Sequence, residues 1–115
     1  MTSRFDAAAL LREYDDQALV RELARLFIAS AGDQTAQVSA AVRRGDAHAL
    51  KTAAHRLRGG LLTLGAADAA ERARLLESMG TSGDLAGAAE VAGQLGAEVR
   101  SLCTGAAAWL TEHDG

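Results

Sequence analysis

Apolar residues recur along this chain at steps of three and four, in several successive stretches. That spacing marks helices that bury one face, whereas half-buried strands alternate. The most regular case is AHALKTAAHRLRGGLLTLGA, residues 47–66, where Leu50, Ala54, Leu57, Leu61 and Leu64 are spaced four, three, four, three. At roughly 100° per residue these five share one direction, which predicts a helix over 47–64. The last stretch starts near Leu85 and is longer. Ala88, Ala92, Leu95, Val99, Leu102, Ala106 and Trp109 keep the same alternation for three heptads, which suits a bundle or coiled coil.

The remaining elements are read from caps and stripes. Ser3 is placed to cap a short helix over 4–13 that turns Phe5, Ala9 and Leu10 inward. Asp15 or Asp16 caps a second over 17–31, with Leu19, Leu23, Leu26 and Ser30 on one stripe that Val20 and Phe27 widen. Gly32-Asp33 reads as a stop and a new cap, opening a helix over 34–44 that buries Val38, Ala41 and Val42. Gly45-Asp46 is the sharpest boundary, because Gly ends one helix and Asp caps the next. After Gly65 a helix over 67–79 offers Ala69, Ala73, Leu76 and Met79 to the core, and 80–84 reads as a loop. Both termini, before Arg4 and from Glu112 on, are expected to fray. Short connections make neighbouring helices antiparallel. The expected fold is all-α, an up-and-down four-helix bundle with a short additional N-terminal helix, in one domain over 1–115.

Composition agrees with helices. Proline is absent, aromatic residues are 3% and apolar residues 49%, enough for a core. The formal charge of −3 argues against general nucleic-acid binding, which needs cations to neutralise phosphates. Locally the balance reverses: Arg43, Arg44, Lys51, Arg56 and Arg58 face a single acid, Asp46, between 43 and 58. The lone Cys103 permits no internal disulfide, in keeping with a reducing compartment. No leader-like start and no membrane-length apolar run are read, so a cytoplasmic protein, off the membrane, is expected.

Chemistry concentrates at one histidine. His55 points about 140° away from the seam of its helix, so it does not fill the core. Lys51, four residues before it, and Arg58, three after, lie on its face, and Leu62 falls two turns on. Gly59 removes a side chain near the imidazole. A neutral, uncrowded imidazole beside two cations suits nucleophilic attack on a phosphoryl group, with the cations stabilising the dianion. The same residues also allow a plain reading, a surface histidine on a basic helix. His48 and His113 read as solvated, and Cys103 and Trp109 as core. Other chemistries lack their motifs. His48 and His55 stand roughly 10 Å apart along a helix, too far to share a metal, and no phosphate-binding Gly-rich loop follows a strand.

The segment AAHRLRGGLLTLGA resembles the signature of histidine-containing phosphotransfer (HPt) domains. In that family the phosphorylated histidine is followed by any residue, Leu, Lys, Gly and a small residue, with a Gly-Ala-like pair about two turns later. Here the run is His55, Arg56, Leu57, Arg58, Gly59, Gly60, then Gly65-Ala66. Arg58 replaces the usual Lys and Gly60 the usual Ser or Ala, which changes how the phosphoryl group is met. The resemblance implies a four-helix bundle of this length. It implies that His55 carries a phosphoryl group to and from receiver-domain aspartates, as a non-enzymatic carrier fed by a receiver or hybrid histidine kinase. It implies no cofactor on this chain, the Mg²⁺ belonging to the receiver, and a monomer. Glu77, on the next helix, could orient the ring nitrogen that is not attacked, or be an ordinary exposed acid. Ile28 and Leu62 are candidates for an apolar docking surface, although Ile28 equally fits a widened core stripe. The alternative to a carrier is a docking module of the same fold that binds a receiver or kinase without taking phosphate.

Overall fold

Three aspartates start three helices. The structure, a computed structural model, describes residues 4–113. In it Asp6 opens α1 (Ala7–Tyr14), Asp16 opens α2 (Gln17–Arg44) and Asp46 opens α3 (Ala47–Thr63). Each carboxylate accepts from the backbone N–H three residues on, at 3.0 Å, satisfying a donor the helix leaves unpaired. Two further helices follow, α4 (Ala67–Ser82) and α5 (Ala88–His113). Gly45 closes α2 at φ 64°, and the next N–H, of Asp46, reaches back to the Ala41 carbonyl. This is a left-handed stop that an L side chain would strain.

Helices α2 to α5 form a closed ring: α3 lies against α2 and α4, and α5 against the same two. Helix α1 packs on α2. The four-helix bundle with a short N-terminal helix is therefore as the sequence predicts, within an envelope of 46 × 22 × 20 Å. The seam of α3 is also as predicted, and that of α5 as far as Ala106, whereas Trp109 and Cys103, expected in the core, are half-buried at its edge. Leu50, Ala54, Leu57, Leu61 and Leu64 are buried, as are Ala88, Ala92, Leu95, Val99, Leu102 and Ala106. Leu64 itself is the C-cap of α3.

Elsewhere the structure corrects the boundaries. Gly32-Asp33 does not break the chain, and α2 runs through it for 28 residues. Gly32 costs about 1 kcal/mol against alanine, but Ala31 and Val38, seven apart, are both buried on one face and hold the helix together. Asp33 accepts a side-chain bond from Gln37 at 3.1 Å and caps nothing. The core stripe of α2 is Val20, Ala24, Phe27, Ala31, Val38 and Ala41. The leucine stripe lies one position round: Leu26 is 56% exposed, and Leu19 and Ser30 are exposed too.

The ends differ as well. The first helix starts after Asp6, and the expected cap, Ser3, lies outside the described residues. Helix α4 continues through Gly80 to Ser82, past the expected loop start. Gly80 is buried at a tight crossing, where an added Cβ would stand 2.7 Å from the Ala47 carbonyl oxygen and 2.7 Å from the Lys51 nitrogen. At the far end, helix α5 persists to His113, whose ring stacks on Trp109 at 4.8 Å and whose carbonyl accepts from Arg21. His113 is thus held and half-buried, against the expectation of a solvated tail. A charged pair links α4 to α5, its acid buried and its arginine half-buried. Glu98 of α5 is 3% exposed and bonded by Arg72 of α4.

Candidate functional site

The site is built across the seam between α3 and α4. His55 stands near the middle of α3, on the side away from the buried Leu50, Ala54 and Leu57, and its side chain is 69% exposed. The crossing at Gly80 brings α4 close to α3, and Glu77, one turn earlier on α4, reaches the histidine. His55 Nδ1 lies 3.0 Å from Glu77 Oε1, and Arg58 Nη1 donates to Glu77 Oε2 at 3.0 Å. The Glu77 side chain is 19% exposed and that of Arg58 34%. Burial by itself pushes the Glu77 carboxyl up. Hydrogen bonds from Arg58 and His55, with their charges, outweigh it, and the net effect holds the carboxyl below the ordinary glutamate range. Glu77 is therefore ionised at neutral pH. An ionised carboxylate only accepts, so a neutral His55 ring carries its proton on Nδ1 and keeps its lone pair on Nε2.

Three of the residues singled out in the sequence, His55, Arg58 and Glu77, thus meet in one hydrogen-bonded group. The pairing of Arg58 with Glu77 is not legible from spacing along one helix, because the partner is on another. Lys51 is exposed on the His55 side of α3 and makes no ion pair or side-chain hydrogen bond among the described residues. Gly59 is exposed, and a Cβ there meets nothing within 4 Å, so an alanine would not crowd the imidazole, contrary to the expectation from spacing. Gly60 belongs to the other seam: a Cβ there would lie 3.9 Å from Phe27 Cδ1 of α2. Leu62 is 56% exposed, whereas Ile28 is half-buried. Leu19 and Leu26 are exposed apolar residues that the sequence pattern misses, because the leucines of their stripe read as core.

No three His, Cys, Asp or Glu side chains among the described residues are grouped to hold a metal ion. No helix among them is long and apolar enough to cross a membrane. A shallow groove lined by Arg58, Arg74, Glu77, Ser78 and Thr81 runs beside the site on α4. Arg74 there is engaged by Glu71.

The family model described as Hpt domain matches residues 22–109, well over half of the chain. The protein belongs to the Hpt domain family. The match takes in α3, α4, most of α2 and α5 as far as Trp109, and leaves α1 outside. Neither a curated protein nor a solved structure gave a match. Hpt domains are helical bundles with a phosphotransfer role, working with receiver domains and histidine kinases, and this Hpt domain has that architecture.

Proposed function

We propose that this Hpt domain is a monomeric histidine phosphocarrier in a multistep phosphorelay, with His55 as the phosphorylated residue. The observation that carries the reading is the His55–Glu77 contact, which leaves Nε2 as the ring's lone-pair nitrogen on an exposed side chain. In the transfer, the Nε2 lone pair attacks phosphorus of a receiver aspartyl phosphate. The N–P bond forms, the acyl P–O bond breaks, and the aspartate leaves as a carboxylate. The ring gains positive charge while its Nδ1 proton stays hydrogen-bonded to Glu77, whose carboxylate offsets that charge. The reverse step hands the group to another receiver. The receiver supplies the Mg²⁺ and the acidic pocket, and this chain supplies the nucleophile. Lys51 and Arg58 place cations on the same side of α3 for the phosphoryl oxygens.

The test is phosphotransfer. Wild type and His55→Gln are incubated with phosphorylated receivers of the host, and label on each is followed. Uptake by wild type alone supports the carrier. No uptake from any receiver or kinase, with binding retained, leaves the docking-module reading in its place.

A further inference from the structure

Gly80 lies against backbone. An added Cβ would stand 2.7 Å from both the Ala47 carbonyl oxygen and the Lys51 nitrogen, and 2.8 Å from the Lys51 Cβ. The first two atoms belong to residues four apart, the acceptor and donor positions of one turn of α3. That turn holds the α3 backbone in place, so a side chain at 80 is accommodated by moving α4. No other glycine among the described residues would place a Cβ closer than 3.0 Å to a neighbour. At Gly60, on the α2 side of α3, the distance is 3.9 Å, which is ordinary contact.

The tight crossing adjoins the site. Glu77 is three residues before Gly80, and His55 is four after Lys51, so each is about one turn away along its helix. Bringing a Cβ from 2.7 Å to ordinary contact takes about 0.7 Å. Helix α4 is tethered at the Gly65 turn, and Glu77 lies near its Gly80 end, so most of that displacement reaches the carboxylate. A 3.0 Å contact lengthened by about 0.5 Å leaves hydrogen-bond range. Arg58 can follow the carboxylate on its long stem. The imidazole cannot, because it sits two torsions from the α3 backbone.

We propose that Gly80 is a positioning residue for His55. Having no side chain, it lets α4 lie close enough for Glu77 to reach Nδ1 and leave the neutral ring's lone pair on Nε2. Its nearest neighbours on α3 are Ala47 and Lys51, so it acts through Glu77 and not on the reacting nitrogen. The effect on transfer rate rests on the proposed carrier function; the effect on the ring does not.

The experiment is a double-mutant cycle over Gly80→Ala and Glu77→Ala in the full chain. Two readouts are taken: nitrogen-15 NMR of the neutral His55 ring, and the rate of phosphotransfer from a phosphorylated host receiver. Gly80→Ala is expected to end the dominance of the Nδ1–H form and to slow transfer about tenfold, as Glu77→Ala does. The double variant should be no slower than Glu77→Ala, because both changes break one contact. Stability is separated by two controls. Val99→Ala, in the core of α5, weakens the bundle and should keep both the tautomer and the rate. Gly32→Ala, added to Gly80→Ala, restores stability and should restore neither. If Gly80→Ala keeps the Nδ1–H form, or the two rate effects multiply, the proposal is overturned. A Gly80→Ala chain that folds in neither background overturns it too, since Gly80 would then serve folding alone. If wild type takes no phosphate while Gly80→Ala shifts the tautomer, the carrier reading fails and the positioning role stands.

Discussion

His55 Nδ1 and Glu77 Oε1 face each other at 3.0 Å across the α3–α4 seam. The contact joins residues on two helices, and it sets which nitrogen of the neutral ring keeps its lone pair.

Removing the acceptor should release the tautomer. In Glu77→Ala, nitrogen-15 NMR of the neutral His55 ring should show the Nδ1–H form losing its dominance. Phosphotransfer should slow on the order of tenfold, the scale seen when a partner that orients a histidine is lost. An unchanged tautomer in the variant would remove Glu77 from the mechanism.

Arg58 is expected to act on rate more than on stability. Its ion pair with Glu77 is partly exposed, and such pairs are worth below about 1 kcal/mol. Arg58→Ala should therefore leave the melting temperature within a few degrees while slowing transfer. A large stability loss would show that its packing, not its charge, matters.

The lowered Glu77 carboxyl makes a prediction about acid. Its folded value lies below its unfolded one, so its contribution to stability is present above the unfolded value, about 4.3, and is lost as pH falls through the folded value. Thermal melts of wild type and Glu77→Gln should differ near neutrality and converge in that acid range.

Two glycines should respond in opposite directions. Gly80→Ala drives a Cβ into the α3 backbone and should cost about 1–3 kcal/mol by denaturant titration. At Gly32 a Cβ meets nothing within 4 Å, so Gly32→Ala should stabilise by up to about 1 kcal/mol. A loss there would mean that α2 is not continuous.

How much can be read from the sequence varies with the kind of signal. The α3 helix is legible because Gly45-Asp46 and an unbroken leucine seam agree. Gly32-Asp33 carries the same local signal, yet packing of Ala31 and Val38 overrides it. The core stripe of α2 is easily misread because its alanines, which pack helices closely, carry less apolar weight than the exposed Leu19 and Leu26. At the site, His55 and its helix neighbours follow from periodicity. The hold of Glu77 on Arg58 depends on the depth of the Gly80 crossing, which no single-helix pattern encodes.

The pair of Arg72 and the buried Glu98 has a consequence for the helix that carries that site's carboxylate. Smooth alanine surfaces let two helices slip lengthwise, since each step finds a similar fit. A buried carboxylate bonded from the neighbouring helix is more selective, because slippage would draw Glu98 away from Arg72. Arg72 is five residues from Glu77, about 7.5 Å along the same helix. The pair acts as a detent between α4 and α5, and the helix it holds is the one that carries Glu77.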